Sequence, residues 1–384
     1  MSFWKKMFNR SKEENLPDEL HLTVKSVIAN QYVDPYLSID LISANAVKNI
    51  SRENSALKVT VVLNYPAKLN QHKIQNALTS GLKTLLTTDE RFQQFNDVQV
   101  HVGWQIPAHQ GQRQEVSRIK NIIAVSSGKG GVGKSTTSVN LALALQIQGA
   151  KVGLLDADLF GPSQPLLLGI PEGVTPQTRD MRYYAPITAH GLELMSMGVM
   201  VTEKTPLMWR GPVASETIKQ LINQTLWGDL DYLLIDMPPG TGDIQISVAQ
   251  TLAIAGAVIV TTPQDMALLD AKKGIEMFEK VDIPTLGIIE NMSTHICSKC
   301  GQAESIFGKE GGDKLSREYC TELLGSLPLT MKIRQQADAG LPIVLADPES
   351  KTAQIYHDIA LKMAVNVAQP GFITPLPKIS FVND

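Results

Sequence analysis

The residues with the most evident chemistry lie in one short run. Gly128-Lys129-Gly130-Gly131-Val132-Gly133-Lys134-Ser135-Thr136 follows the apolar stretch Ile122-Ile123-Ala124-Val125-Ser126 and precedes a helix-forming run from Thr137 to Gln148. Strand, glycine loop and helix in that order are the context in which G-x-x-x-x-G-K-S binds phosphate. Glycines let backbone N–H groups turn inward around phosphate oxygens, and the helix N-terminus adds partial positive charge. Gly128, Gly130, Gly131, Val132, Gly133 and Thr136 therefore read as a nucleotide cradle. Lys134 reads as the cation at the β- and γ-phosphates, and Ser135 as a Mg²⁺ ligand.

Two other apolar runs end in carboxylates. One closes in Asp156-Ala157-Asp158-Leu159-Phe160-Gly161-Pro162-Ser163, with acids at i and i+2 beyond a strand rather than on one helix face. The other, Tyr232-Leu233-Leu234-Ile235-Asp236, opens into Met237-Pro238-Pro239-Gly240-Thr241-Gly242-Asp243. Asp236 reads as the Walker B carboxylate that holds Mg²⁺ through water. Asp243 is either catalytic or a loop-capping carboxylate.

Three cysteines, Cys297, Cys300 and Cys320, are too few for a disulfide framework. Cys297-Ser298-Lys299-Cys300-Gly301 sets two thiolates on a turn and presents both to one thiophilic metal or cluster. A pair is half of a four-thiolate set, and a symmetric dimer would supply the other half. A structural zinc bridging the dimer uses the same ligands; a redox pair or two inert thiols are the remaining readings. His295 reads as a surface histidine. Cys320, on a helix expected from Gly312 to Leu324, reads as a buried small hydrophobe.

These groups need elements to hold them. The chain has 384 residues, 43% hydrophobic and 19% charged, with a net charge of −3, which suits a soluble globular protein of two or more domains. The balance gives no global reason to bind nucleic acid, and no run approaches the ~20 apolar residues of a membrane span. The basic, aromatic residues 1–10 lack the apolar stretch of a signal peptide, so the cytoplasm is the expected location. The fold class is α/β: a mostly parallel-sheet P-loop NTPase domain preceded by a small α/β domain. Residues 1–15 form a flexible tail, 16–107 the small domain, 108–118 a polar linker, 119–369 the NTPase domain and 370–384 a Pro- and Phe-rich tail. In the small domain, a helix from Asp18 to Asn30 ends at Asp34-Pro35. A hairpin of Ile42–Ile50 and Leu57–Tyr65 follows, turning through residues 51–55, and a helix from Asn70 to Leu86 leads to a strand from Val98 to Trp104. Strands at Asn121–Ser126, Lys151–Asp156, Leu192–Ser196, Tyr232–Asp236, Ala257–Thr262 and Thr285–Glu290 build the parallel sheet, whose ligands belong beyond the strands' carboxyl ends.

The loop with its early Lys129 resembles the deviant Walker A of the ATPases that include the nitrogenase iron protein and the partition and septum-placement ATPases. That group implies a nucleotide-sandwich homodimer with Lys129 acting in trans; a solvated loop lysine is the alternative. It also implies a first switch in which Asp158 orients the attacking water and Asp156 lies near the Mg²⁺ shell, and a second switch after Asp236. Asn291 falls where the group places an adenine-reading Asn, and Arg334 falls in a second base-flanking loop. ATP rather than GTP rests on this resemblance, since no Asn-Lys-x-Asp guanine reader is visible. With Glu290-Asn291-Met292-Ser293 and Cys297-x-x-Cys300-Gly301 in order, residues 119–364 closely resemble the Mrp/ApbC family of iron–sulfur cluster carrier ATPases. Tyr32-Val33-Asp34-Pro35 and the hairpin after it are similar to the small iron–sulfur assembly domain often fused to them. The family implies a [4Fe–4S] cluster bridged by Cys297 and Cys300 of two subunits, with scaffold proteins and apo iron–sulfur proteins as partners. Rival readings are a positioning ATPase on membrane or DNA and an ATP-driven electron donor. Three prolines in the last segment disfavour a lipid-binding helix there.

Overall fold

A computed structural model describes residues 13–109, 116, 118–200, 211–297 and 299–369. The chain forms two compact units that part after Ile106. The tail residues 1–12 and 370–384, and residues 110–115 and 117 of the expected linker, lie outside the described residues.

Among the described residues, the first unit is a four-stranded sheet with two α-helices. Its elements are β1 (Glu13–Asn15), α1 (Asp18–Gln31), β2 (Val47–Glu53), β3 (Ala56–Leu63), α2 (Gln71–Thr88) and β4 (Asp97–Trp104), and the strands lie in sequence order. Strand β3 alternates buried and half-buried positions, and Val59, Val61 and Leu63 join the buried faces of α1 (Val24, Ile28) and α2 (Ile74, Leu78, Leu82) in the core. Crossover α2 makes the β3–β4 pair parallel. Two expectations shift. The hairpin turns at Asn54-Ser55, with Asn54 at φ 56°, so Ser51-Arg52-Glu53 are strand rather than turn, while residues 42–45 of the expected strand are turn and β2 begins only at Val47. Residues 13–15 of the expected tail are an edge strand on β2, where Glu14 pairs opposite Arg52; an edge tolerates such polar residues, and opposite charges across it attract. Asp34 is fully buried. Its Oδ1 accepts from the amides of Tyr36 (2.9 Å) and Leu37 (3.1 Å), and its Oδ2 accepts from the Tyr65 hydroxyl. The Val33-Asp34-Pro35 corner is thereby a structural knot.

The second unit is an eight-stranded sheet. Its strands are β5 (Ile119–Ser126), β6 (Val152–Asp156), β7 (Ile187–Ala189), β8 (Leu192–Ser196), β9 (Leu230–Asp236), β10 (Ile254–Thr261), β11 (Thr285–Glu290) and β12 (Leu323–Ser326). They lie in the order β12-β11-β10-β5-β9-β6-β8-β7, and every pair is parallel except β8–β7. Strands β5, β9 and β10 are apolar runs buried over most of their length, as helices on both faces require. The long helices are α3 (Lys134–Ile147), α4 (Gly211–Gln224), α5 (Asp243–Thr251), α6 (Asp265–Lys280), α7 (Gly311–Glu318), α8 (Met331–Asp338) and α9 (Lys351–Ala368). Among the described residues no helix is long and apolar enough to cross a membrane.

The expected helix from Gly312 to Leu324 is α7 followed by β12. The chain leaves the helix through Tyr319 and Cys320, whose φ is 47°, and Leu323 then pairs beside Ile288 of β11. Cys320 is accordingly exposed, not buried. Tertiary pairing with a free sheet edge overrides the local helical pattern here.

Candidate nucleotide site and cysteine hairpin

The phosphate loop sits between β5 and α3 at the centre of the sheet, and its glycines meet separate demands. A Cβ on Gly128 would lie 2.1 Å from the carbonyl carbon of Asp270 in α6, so only glycine allows that helix to approach. Gly131 and Gly133 hold φ of 80° and 82°, in the left-handed region that favours glycine. A Cβ on Gly131 would meet nothing within 4 Å, which leaves that side of the loop open as a cradle.

Lys134 is buried, and its Nζ donates to Asp236 Oδ1 at 2.5 Å. Asp236 is fully buried; it also accepts from Ser138 Oγ at 2.7 Å and, on Oδ2, from Gln164 Nε2 at 2.9 Å. Ser135 Oγ lies 3.2 Å from Lys134 Nζ. Removing one partner of such a pair typically costs about 3–5 kcal/mol, so the ammonium leaves its carboxylate only for another anion. A hydroxyl, a carboxylate and a lysine at an open glycine cradle are the hard oxygen donors and the cation that fit Mg²⁺ and a polyphosphate.

Asp156 is buried under four donors. Asp158 N gives to Oδ1 (3.2 Å), while Ser163 N (3.0 Å), Gln164 N (3.1 Å) and Ser196 Oγ (3.0 Å) give to Oδ2. Burial, and next the charge of Asp236, push its carboxyl up to about 7. Asp158 is half-buried and accepts from Gly161 N at 3.3 Å; burial raises its carboxyl, against the pull of Lys134. With Phe160, Pro238, Pro239, Thr241 and Gln245 it lines an open cleft of about 410 Å³. The loop after β9 is tied to the phosphate loop by Gly240 N donating to Ser127 O at 2.9 Å. Asp243 is exposed as the first residue of α5, in its acidic first turn.

Lys129 is half-buried, its Nζ 3.5 Å from Gln264 Oε1 of the same chain. Asn291 is buried behind the loop: Nδ2 donates to Val132 O at 2.8 Å, and Oδ1 accepts from Met292 N at 2.9 Å. Arg334 is not in a loop. It lies in α8, exposed and bridged to Asp338 at 2.7 Å, because Thr330 caps a helix that begins at Met331.

Sequence reasoning missed Ser138, Gln164 and Gln245. Ser138 is one helical turn beyond Lys134, where a Walker B partner could have been sought. Gln164 Nε2 also donates to Ser135 O (3.1 Å), and Gln245 Nε2 donates to the carbonyls of Pro238 (3.1 Å) and Pro239 (2.8 Å). No motif marks Gln164, whose partners lie 29 and 72 residues away, or Gln245, which ties the nearby loop through backbone carbonyls that any residues would supply.

The cysteines lie on a small hairpin of His295–Ile296 and Ala303–Glu304. Cys297 N donates to Gln302 O and Gly301 N to Cys297 O, both at 2.9 Å, and Gly301 has φ 73°. Amides of Cys300 and Lys299, and then the Cys300 thiol, donate to the Cys297 sulfur and hold its thiol below the ordinary range. Cys297 is half-buried and Cys300 exposed. Among the described residues no cluster of three or more His, Cys, Asp or Glu could hold a metal ion. His295 Nδ1 donates to Leu329 O at 3.2 Å, so that nitrogen is occupied.

Comparison with known proteins agrees with this layout. Residues 118–364 match the family described as NUBPL iron-transfer P-loop NTPase, and residues 29–91 match the iron–sulfur cluster assembly protein family. The iron–sulfur cluster carrier protein of Salmonella typhimurium is 44% identical over 370 residues, covering 96% of this chain and 98% of that protein. That of Pseudomonas fragi is 56% identical over 268 residues, covering 69% of this chain and 93% of that one. Among solved structures, a nucleotide-binding protein from Archaeoglobus fulgidus in complex with ADP is 36% identical with a TM-score of 0.54, covering 62% of this chain and 93% of that one. The chain therefore belongs to the iron–sulfur cluster carrier family of P-loop NTPases, with an iron–sulfur assembly domain ahead of the nucleotide-binding unit.

Proposed function

We propose that the protein hydrolyses ATP with Mg²⁺ and carries a [4Fe–4S] cluster, held between two subunits by Cys297 and Cys300 of each, from scaffold proteins to apo-proteins in the cytoplasm. The observation that carries this reading is the hairpin: a half-buried Cys297 and an exposed Cys300 share one turn, near enough for the Cys300 thiol to donate to the Cys297 sulfur, which supports a two-thiolate contribution to a shared four-thiolate site. Residues 108–118 link the small domain to the ATPase domain of residues 119–369.

In the ATPase step, Lys134 exchanges the Asp236 carboxylate for phosphate oxygens. Asp236 keeps the hydrogen bonds of Ser138 and Gln164 and so stays oriented toward the metal shell. Ser135 and Asp236 would hold Mg²⁺, which neutralises charge on the β- and γ-phosphates when bound. Asp158 orients the water that attacks the γ-phosphorus, giving ADP and phosphate. Its raised proton affinity suits a group that accepts a hydrogen bond from that water. Lys129 adds its charge from the opposite subunit. Loss of the γ-phosphate relaxes the loops after Asp156 and Asp236 and alters the dimer that grips the cluster.

Anaerobic reconstitution with iron and sulfide tests the cargo. The full chain should develop broad visible charge-transfer absorption, and Cys297→Ala should abolish it. A colourless protein with bound zinc, or a cluster that survives loss of Cys297, would refute the bridging assignment.

A further inference from the structure

The phosphate loop follows β5 and the cysteine hairpin follows β11, yet a series of hydrogen bonds, connected by short stretches of backbone, joins them within one subunit. It begins at the Val132–Gly133 peptide. The Val132 carbonyl accepts from Asn291 Nδ2 at 2.8 Å, and the N–H of the same rigid peptide plane belongs to Gly133, in the cradle. In a trans peptide these two groups point in opposite directions, so an anion that pulls on the amide also moves the carbonyl that Asn291 grips. Asn291 is anchored at its own amide, which donates to Thr261 O of β10 at 2.7 Å.

From Asn291 the strain has little room to dissipate. Met292 donates back to Asn291 Oδ1 and takes φ 57°, a conformation that non-glycine residues rarely hold. Ser293 then donates to Leu327 O through both N (3.0 Å) and Oγ (3.0 Å). Leu329 N donates to Thr294 O at 2.9 Å, and His295 Nδ1 donates to Leu329 O at 3.2 Å. The hairpin that carries Cys297 starts at His295.

We propose that Asn291 is a positioning residue that couples the phosphate loop to the cysteine hairpin, so that nucleotide binding changes how the two thiols are presented. This deepens the reading of the protein as a nucleotide-driven carrier and rests on it, but it concerns the thiols themselves and needs no cluster to be measured. It also differs from an adenine-reading role for Asn291, which would place the residue in base recognition only.

The test is the rate at which dithiobis-nitrobenzoate modifies Cys297 and Cys300 in the reduced full-length protein, with and without a saturating Mg²⁺ complex of a non-hydrolysable ATP analogue. Every protein carries Cys320→Ser, because Cys320 is exposed and would also react. In the parent the two rates should differ about fivefold or more, the lower end of typical coupling between sites. Asn291→Asp keeps the acceptor for Met292 and loses the donor to Val132, and should bring the ratio below about twofold. Met292→Gly keeps the Asn291 bond but loosens the connection beyond it. It suits the left-handed conformation, so it folds even where Asn291→Asp does not, and it should lower the ratio likewise. A parent ratio near one, or variants that keep the parent's ratio, would overturn the coupling. So would an Asn291→Asp that weakens binding of ATP but not GTP while its ratio at saturation stays intact, which is the signature of a base reader. A protein that takes up no cluster but shows the expected ratios would overturn the cargo and leave the coupling standing.

Discussion

Asp156 shows how one residue's environment is set by partners the chain brings from afar. Four donors surround it, yet burial and the charge of Asp236 outweigh them and raise its carboxyl to about 7. An unfolded aspartic acid ionises near pH ~3.9. Between those two values the folded chain holds a proton that the unfolded chain has lost, so stability falls as pH rises through this window and levels off above it. A single proton of difference is worth about 1.4 kcal/mol per pH unit. Asp156→Asn removes the titration. In melting experiments on the nucleotide-free protein, the variant should therefore gain on the wild type as pH is raised from about 5 to about 7. Curves that stay parallel across that range would show that Asp156 is ionised throughout. Its partners explain why its role was only half legible: the strand-end position is evident from the sequence, but Ser196 and Asp236 are neighbours only in the fold.

At the scale of elements, the phosphate loop works because one helix packs on it and another starts from it. Gly128 and Gly131 separate these roles. Alanine at 128 would drive its Cβ into the backbone of α6 at Asp270, which cannot yield as a flexible side chain would. Alanine at 131 has open space and suffers only a left-handed φ of 80°. Gly128→Ala should thus lower stability by about 1–3 kcal/mol, as overpacking does, and displace the loop that binds nucleotide. Gly131→Ala should cost about 1 kcal/mol, from strain alone. Denaturant melts with nucleotide-binding calorimetry would check this, and a milder effect at 128 than at 131 would contradict the packing. The strands β5, β6, β8, β9, β10 and β11 were legible as short apolar runs ending in small or acidic residues. Edge strands β7 and β12 were not, since an edge has one neighbour and needs no continuous apolar run.

At the scale of the whole molecule, the chain holds two units, each with its own core. The small one buries Val24, Ile28, Leu57, Ile74, Leu78, Leu82 and Phe92 within itself. Residues 13–106 expressed alone should therefore melt cooperatively, with near-ultraviolet circular dichroism from packed Tyr65 and Phe92; a broad, non-cooperative melt would show that the core needs the second unit. By itself the sequence determined what is local: the strand, glycine loop and helix that make a phosphate cradle, the paired cysteines on a turn, and the alternation that divides a small mixed sheet from a parallel one. These follow from backbone geometry and hydrophobic period within a few residues. The tertiary structure alone decided which carboxylate neutralises Lys134, that Gln164 and Gln245 are buried in the site, that Cys320 is exposed, and that Asn291 grips the phosphate loop. Lys134 and Asp236 are 102 residues apart, and Asn291 and Val132 are 159 apart. Side-chain pairs at such separations leave no periodic trace in the sequence, because the order of strands in the sheet, rather than spacing along the chain, brings them together.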